Sequence, residues 1–439
     1  MHSSKPSIRW VNHASFVFSH DGVRLITDPW LFGRAFNDGW ALLAESGFTI
    51  DEFKGITHIW FSHEHPDHFA PPVLQRISEG QRRRITVLFQ ETLDRKVVRY
   101  CESLGFMVQE LPDGGQHQLS PKVRVVCGKV PYFDSWLLIE AGDVRILNAN
   151  DCVVDGEGIA RHIARVTGPV NVLLTQFSYA NWIGNPEDVE ERRASAREKL
   201  RRVKIQIEAF RPEFVVPFAS MVYFCHEENA YLNDAMNSVR DAHDFIRRES
   251  GARPVVLYPG DHWVITAPRD NEPSLGRYDL DYDLTVRKFV TSPPVPVAEL
   301  VPLSRDYIRR VRGRNNRLMM ATMKLPPFRY FQPLTLHLTD LNEVVVFDGR
   351  EGVRSSQATS TACDASLSSE SLAYIFRHDW GYETLEVNGR FRATPDGHRK
   401  MVKSLFLGSL NNTGRFLRLR TLLDVRFLRR ALVKLRSLS

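Results

Sequence analysis

Histidine and aspartate side chains are concentrated in residues 63–68, which read His-Glu-His-Pro-Asp-His. Imidazole nitrogen and carboxylate oxygen both bind zinc and iron, so this stretch is a ligand set for a transition metal. The apolar run 56–61 precedes it and is typical of a buried strand. A tight loop after a strand lets alternate side chains converge on one point. The ligands predicted from this loop are His63, His65, Asp67 and His68, and Asp67 is also the catalytic candidate.

The spacing His-x-His-x-Asp-His resembles the signature loop of the metallo-β-lactamase superfamily. The resemblance implies an α/β protein with a four-layered αββα fold, in which helices cover two packed sheets. It also implies that Asp28, in Asp28-Pro29, supports the metal loop without binding metal. A metal-bridging aspartate follows a later strand in the superfamily, and Asp151 matches that position.

One expected ligand is missing from the pattern. A histidine is usual in the loop after the strand 123–127, yet residues 128–136 contain none. Asp134 is the carboxylate available there and is proposed as a replacement ligand; the alternative is a site with one ligand fewer and a water in its place. For the last ligand we favour His226, after the strand 214–219, over His262.

Three further residues are candidates for a substrate pocket. His13 lies in a His-Ala-Ser stretch that resembles the start of one branch of the superfamily, and a buried structural histidine is the alternative. Arg34 belongs to an aromatic, glycine-punctuated loop and could meet an anionic substrate, although a surface arginine is the simpler interpretation. Tyr132 lies in the loop that lacks the histidine.

A narrower resemblance covers roughly residues 7–263. The runs 28–36, 146–152 and 216–219 are similar to the metallo-β-lactamase-fold portion of CMP-N-acetylneuraminate hydroxylases. Those enzymes resemble iron oxygenases that take electrons through a Rieske domain. The five cysteines here have no Cys-x-x-Cys spacing, so the usual ligands of an iron–sulfur cluster are absent. An oxygenase would therefore need an external electron donor, such as a ferredoxin or a Rieske-type protein.

Two activities follow from these residues. In the first, two divalent metal ions, with iron favoured and zinc or manganese as alternatives, activate dioxygen to hydroxylate a small or conjugated metabolite. An acid in place of an imidazole hardens the site and suits iron. In the second, a dinuclear zinc site lowers the pKa of a water to about 7 and delivers hydroxide to an ester, amide or phosphodiester.

Composition limits the setting of these activities. The net charge of +6 over 439 residues is modest and does not indicate nucleic-acid binding. Scattered cysteines and the lack of an apolar leader or a membrane-length run predict a soluble, cytoplasmic protein.

Four segments are predicted along the chain. Residues 1–265 form the catalytic metal-binding domain, and the proline-rich residues 266–325 form a linker with one short helix. Residues 326–412 form a smaller α+β domain, in which 384–389 is read as a strand. Residues 413–439 form a basic amphipathic tail; its part 415–439 could contact a membrane surface or a partner, with docking on its own domain as the alternative.

Overall fold

The computed structural model describes residues 5–130, 134–283, 287–326 and 328–418. Its contacts divide the chain into two compact units. The first consists of residues 1–180, 189–225 and 232–288, and the second of residues 181–188, 226–231 and 289–439. Two short segments within the predicted catalytic domain therefore belong to the second unit.

The first unit contains seventeen described strands and seven described α-helices. The strands are β1 (Ser7–Asn12), β2 (Ser15–His20), β3 (Val23–Thr27), β4 (Arg34–Ala35), β5 (Trp40–Leu42), β6 (His58–Phe61), β7 (Thr86–Gln90), β8 (Met107–Leu111), β9 (Gly115–Ser120), β10 (Val123–Lys129), β11 (Ser135–Ala141), β12 (Val144–Asn150), β13 (Val172–Gln176), β14 (Phe214–Phe218), β15 (Val222–Phe224), β16 (Arg253–Pro254) and β17 (His262–Val264). The helices are α1 (Pro71–Arg76), α2 (Glu79–Arg82), α3 (Lys96–Ser103), α4 (Glu157–Thr167), α5 (Val189–Phe210), α6 (Val239–Glu249) and α7 (Glu272–Asp281).

Two seven-stranded sheets form the centre of this unit. Their strand orders are β17-β1-β2-β3-β6-β7-β8 and β16-β14-β13-β12-β11-β10-β9, and a small third sheet has the order β15-β5-β4. Trp10 and Trp60 from the first large sheet share one buried apolar cluster with Leu138 and Leu174 from the second. Helix α3 packs on β7 and β8, while α5 and α6 pack on β13 and β14. The four-layered αββα arrangement expected from the sequence is therefore confirmed.

The second unit is built on a five-stranded sheet of order β20-β19-β18-β21-β22. Its helices and strands are α8 (Val297–Gly313), α9 (Arg317–Lys324), β18 (Leu334–Leu338), β19 (Glu343–Asp348), β20 (Gly352–Ser355), β21 (Ala365–Leu367), α10 (Ser369–Arg377), α11 (Gly381–Asn388), β22 (Phe391–Ala393) and α12 (Pro395–Asn412). One apolar core includes side chains of both the sheet and its helices, such as Leu300, Leu336 and Leu405.

The segment predicted as a linker contains three helices, α7, α8 and α9. Its prolines suggested an extended chain, but Pro293 to Pro296 precede α8, and Pro302 is accommodated within that helix. One face of α8, which includes Leu300 and Tyr307, is buried, so tertiary packing stabilises the helix.

The predicted strand 384–389 is wrong, because these residues form the end of helix α11 and its cap. Gly389 ends that helix in the left-handed conformation with φ 65°, as expected for a glycine C-cap. Residues 419–439, which make up most of the predicted amphipathic tail, lie outside the described residues. Among the residues that are described, no helix is long and apolar enough to cross a membrane.

The hairpin of β10 and β11 offers a test of the packing. Gly128 faces Trp136 across it, and a Cβ on Gly128 would lie 2.0 Å from the indole ring. We expect Gly128→Ala to lower the free energy of unfolding by about 1–3 kcal/mol through overpacking. Urea denaturation measures this. Gly80→Ala is the control, because nothing lies within 4 Å of its added Cβ; equal midpoints for both variants would contradict the packing described.

Candidate metal centre

The loop after β6 is anchored by an aspartate on the neighbouring strand. Strands β3 and β6 run parallel, and Asp28 follows the first while Ser62 follows the second. The Asp28 carboxylate accepts hydrogen bonds from the Ser62 backbone N–H and from the Ser62 hydroxyl, both at 2.8 Å. Asp28 has the left-handed φ of 38°, a conformation that costs backbone energy and is concentrated at functional sites. The start of the loop is thus fixed through a buried carboxylate.

The same carboxylate orients His68. Nδ1 of His68 lies 2.9 Å from Asp28 Oδ2, and both side chains are fully buried. Nε2 consequently faces two other carboxylates, 3.3 Å from Asp67 Oδ2 and 3.5 Å from Asp151 Oδ2. Burial alone would lower the pKa of His68, but Asp67, Asp151 and Asp28 together hold it well above its usual value.

Two groups of three side chains have donor atoms within 4.8 Å of one another. The first is His63, His68 and Asp151, with His63 Nε2 at 3.7 Å from Asp151 Oδ2. The second is His13, Asp67 and His68, with His13 Nε2 at 3.2 Å from Asp67 Oδ2. The groups share His68, so together they outline adjoining positions for cations.

Asp134 and His65 extend the first group. His65 Nδ1 lies 2.8 Å from His63 Nε2, and Asp134 Oδ1 lies 3.9 Å from the same nitrogen. Burial, followed by the negative charge of Asp151, raises the pKa of Asp134 well above its usual value. A cation would relieve this repulsion and favour the charged form of Asp134.

The donor atoms themselves fit a metal. Buried atoms without a hydrogen-bond partner include Asp67 Oδ1, Asp151 Oδ1 and His68 Nε2. Leaving a buried polar atom unpaired costs about 1–3 kcal/mol. Several such donor atoms at one point therefore indicate a binding site for a metal ion. Imidazoles and carboxylates in this arrangement are donors for iron, zinc or manganese.

The remaining predicted site residues lie in different places. His13 is buried at the centre and belongs to a donor group. Arg34 is half-exposed and pairs with Asp38 at 2.7 Å, whereas Tyr132 lies outside the described residues. His262 is exposed on the edge strand β17 and belongs to neither donor group.

His226 falls in the second unit. Its Nε2 lies 3.2 Å from Ser292 Oγ, and its Nδ1 accepts a hydrogen bond from the Glu228 backbone N–H at 3.2 Å. Both ring nitrogens therefore contact residues of that unit, and neither donor group includes His226. Its role as a metal ligand stays a prediction.

Sequence reasoning missed two residues that hydrogen-bond to the backbone at the start of the metal loop. The carbonyl oxygen of Ser62 accepts hydrogen bonds from Ser135 Oγ at 2.6 Å and from Gln90 Nε2 at 3.1 Å. Ser135 is on the second large sheet and Gln90 on the first, so this carbonyl links both sheets to the metal loop. No sequence signal identifies them, because serine and glutamine at strand ends are common.

Lys199 was also missed, because a single lysine among the many basic residues of α5 gives no sequence signal of its own. Its ammonium donates to the Gln176 side chain at the end of β13, beside the strand that leads to Asp151. Burial lowers the pKa of Lys199 to about 8, partly opposed by attraction to Asp151 and Asp134. A cation on this side of the acidic cluster is a candidate contact for an anionic substrate.

Comparisons with known proteins agree with this fold. Residues 7–161 match the family model described as a beta-lactamase superfamily domain. The chain is 25% identical over 261 residues to cytidine monophosphate-N-acetylneuraminic acid hydroxylase of Danio rerio, which covers 55% of this chain and 43% of the relative. The Mus musculus protein of the same name is 25% identical over 272 residues, covering 58% and 46%. The chain spans less than half the length of these curated relatives.

Solved structures with similar folds include CmlA, a diiron β-hydroxylase from Streptomyces venezuelae, at 18% identity and a TM-score of 0.42, covering 60% of this chain and 54% of that one. Another is Igni18, a metallo hydrolase from Ignicoccus hospitalis, at 17% identity and a TM-score of 0.42, covering 59% and 98%. Likeness at this level carries no argument about substrate.

The predicted resemblance to the metallo-β-lactamase superfamily, and within it to CMP-N-acetylneuraminate hydroxylases, is confirmed by the sequence matches. The curated relatives that the chain matches are hydroxylases by name, which agrees with the expectation of an enzyme of this fold.

The Asp28 carboxylate gives a first test of the centre. Asp28→Asn removes the charge that holds Nδ1 of His68, and we expect metal affinity to fall by about 10- to 100-fold, as for other residues that orient a ligand. Competition with a chelator measures the change. Asp38→Asn, which alters the surface pair with Arg34, is the control; unchanged affinity in Asp28→Asn would contradict the orienting role.

The third donor beside Asp67 and His68 gives a second test. We expect His13→Ala to lose about one metal equivalent, because His13 is in that donor group. If His226 is the last ligand, as the sequence predicts, His226→Ala should lose one instead. Elemental analysis of the two purified variants decides between them. Loss of metal from His226→Ala alone would restore His226 as the ligand.

Proposed function

We propose that this chain is a non-haem iron oxygenase of the dinuclear type, which hydroxylates a small or conjugated metabolite with electrons from an external donor. The observation that carries the proposal is the acidic character of the donor set. Asp67, Asp134 and Asp151 all face the histidines of the loop, and Asp134 occupies a region where the superfamily usually has a histidine. Oxygen donors favour iron, whereas zinc prefers the softer nitrogen and sulfur donors.

The residues that would hold two metal ions are those of the two donor groups together with His65 and Asp134. When bound, iron would supply the activation of dioxygen that no protein side chain provides. The chain supplies fixed orientation: Asp28 sets the ring of His68, and Nε2 of His13 lies 3.2 Å from Asp67 Oδ2. Preorganised ligands of this kind define the open coordination positions.

Aromatic side chains cover the centre. The Phe36 ring packs edge-on against His65 with centroids 5.6 Å apart, and Trp30 packs against His13 with centroids 6.0 Å apart. Phe36 and Trp30 are both buried and come from the aromatic loop that follows Asp28. This apolar wall limits water at the centre, which protects a reactive oxidant from side reactions.

In this proposal the electrons come from an external donor. The cysteines Cys101, Cys127, Cys152 and Cys225 are buried thiols, and burial raises the pKa of the first three. No group of described residues has the cysteine arrangement of an iron–sulfur cluster. A small ferredoxin or Rieske-type protein is the partner class that this chemistry needs.

A zinc hydrolase is the second candidate. The observation that favours it is the set of histidine nitrogens around His63, since imidazole is a good zinc ligand. In that reaction Asp67 would orient the attacking water and accept its proton. The substrate would be an ester, amide or phosphodiester, and no electron donor would be required.

Oxygen uptake separates the two reactions. Iron-loaded protein should consume dioxygen only when a chemical reductant is present, whereas zinc-loaded protein should not. Asp134→Ala should lower the uptake at least about tenfold through loss of a ligand. Asp155→Asn, at an exposed acid beyond the Asp151 loop, is the control and should behave as the unaltered protein. Hydrolysis of a phosphodiester or ester by the zinc form, without reductant-dependent uptake by the iron form, would replace the oxygenase with the hydrolase.

Asp134 also determines which metal is preferred. Asp134→His restores the nitrogen donor usual in the superfamily, and we expect the ratio of zinc to iron affinity to rise by about tenfold. Competitive loading with equal concentrations of the two metals measures the ratio. An unchanged ratio would show that Asp134 does not contact the metal.

A further inference from the structure

The second unit contains a cavity unrelated to the metal centre. It provides about 600 Å³ of empty space, part of it open to solvent, between α8, α9, α12 and strand β19. Its lining consists of apolar side chains, four basic side chains, Ala321, Gly349 and Ser404.

The floor of this cavity is apolar. Seven of the lining side chains are at most 8% exposed and belong to the core of the unit, namely Tyr307, Ile308, Val311, Met320, Phe331, Phe347 and Leu407. Hydrocarbon placed against such a floor is removed from water, which favours binding in proportion to the apolar area buried. The floor therefore suits an alkyl chain better than a sugar or a nucleotide.

Its rim is strongly basic. Arg312, Arg317, Lys324 and Arg350 all line the cavity, and none of them forms an ion pair with any residue that the structure describes. No acidic residue is among the lining residues. By contrast, other cations of this unit are paired, including Arg310 with Asp379 and Lys400 with Asp364.

Three of the rim cations, Lys324, Arg350 and Arg312, interact electrostatically. Burial lowers the pKa of Lys324, and the charges of Arg350 and Arg312 lower it further, while Asp348 partly opposes them. Like charges gathered without a partner repel one another, and an anion placed among them would be stabilised. Guanidinium groups are well suited to hold a carboxylate or phosphate through paired hydrogen bonds.

We propose that this cavity binds a single-chain anionic amphiphile of the fatty-acid class, with its acidic head among the four rim cations and its alkyl chain on the apolar floor. The charge of the rim and the apolar character of the floor both complement such a molecule. A neutral alkyl compound would leave the cations unpaired, and a free anion would leave the floor exposed to water.

The test uses the full chain and isothermal titration calorimetry with decanoate, decanol and inorganic phosphate. We expect decanoate to bind with one molecule per chain. Decanol and phosphate should bind at least about tenfold more weakly, because decanol lacks the charge that pairs with the rim and phosphate lacks the alkyl chain that contacts the floor. Raising the salt concentration should weaken decanoate binding through screening of the exposed rim. No binding of decanoate, or equal binding of decanol or phosphate, would overturn the proposal.

Variants locate the binding. The double variant Lys324→Glu with Arg350→Glu should weaken decanoate binding at least about tenfold by reversing two rim charges. Ala321→Trp should weaken it by filling the cavity, at an exposed position that the core does not require. Arg354→Glu on β20, an exposed arginine that does not line the cavity, is the control and should bind within about twofold of the unaltered chain. Equal weakening in Arg354→Glu, or none in the rim variant, would place the binding elsewhere.

Discussion

Asp28 is a buried carboxylate that pairs with His68 and with the first residue of the metal loop. Removing a charge from water is costly, and a buried acid is tolerated only when its oxygens are fully engaged. The cost is offset because Asp28 receives hydrogen bonds from a backbone N–H, a hydroxyl and an imidazole. These hydrogen bonds fix the start of the loop and direct Nε2 of His68 toward Asp67 and Asp151. Both donor groups depend on this one contact.

The fold explains why the ligands meet although they are far apart in the sequence. Parallel pairing of β3 with β6 places Asp28 beside Ser62, and parallel pairing of β12 with β13 places Asp151 beside Gln176 and Lys199. The apolar cluster between the two large sheets brings these strand ends to the same edge. The acids of the second sheet thereby reach the histidines of the first.

Local patterns in the sequence were sufficient for the metal loop, because its ligands lie within one short stretch. The αββα architecture followed from the resemblance and from the buried strands. Distant contacts could not be predicted in the same way. The partner of Asp67 is His13, which only the pairing of β1 with β2 and the packed sheet bring near it. His226 followed a plausible strand, yet its ring contacts belong to the second unit. The high proline content of residues 266–325 predicted a linker. Burial of one face of α8 nevertheless stabilises that helix despite the low helix propensity of proline.

Asp134, a carboxylate in the loop where the superfamily usually has a nitrogen donor, makes the identity of the metal the decisive property of the centre. Protein produced with iron and zinc equally available should be purified without chelators and subjected to elemental analysis. A centre held by Asp67, Asp134 and Asp151 beside the loop histidines should contain about two metal equivalents per chain, predominantly iron. Zinc alone, or a single metal equivalent, would contradict it.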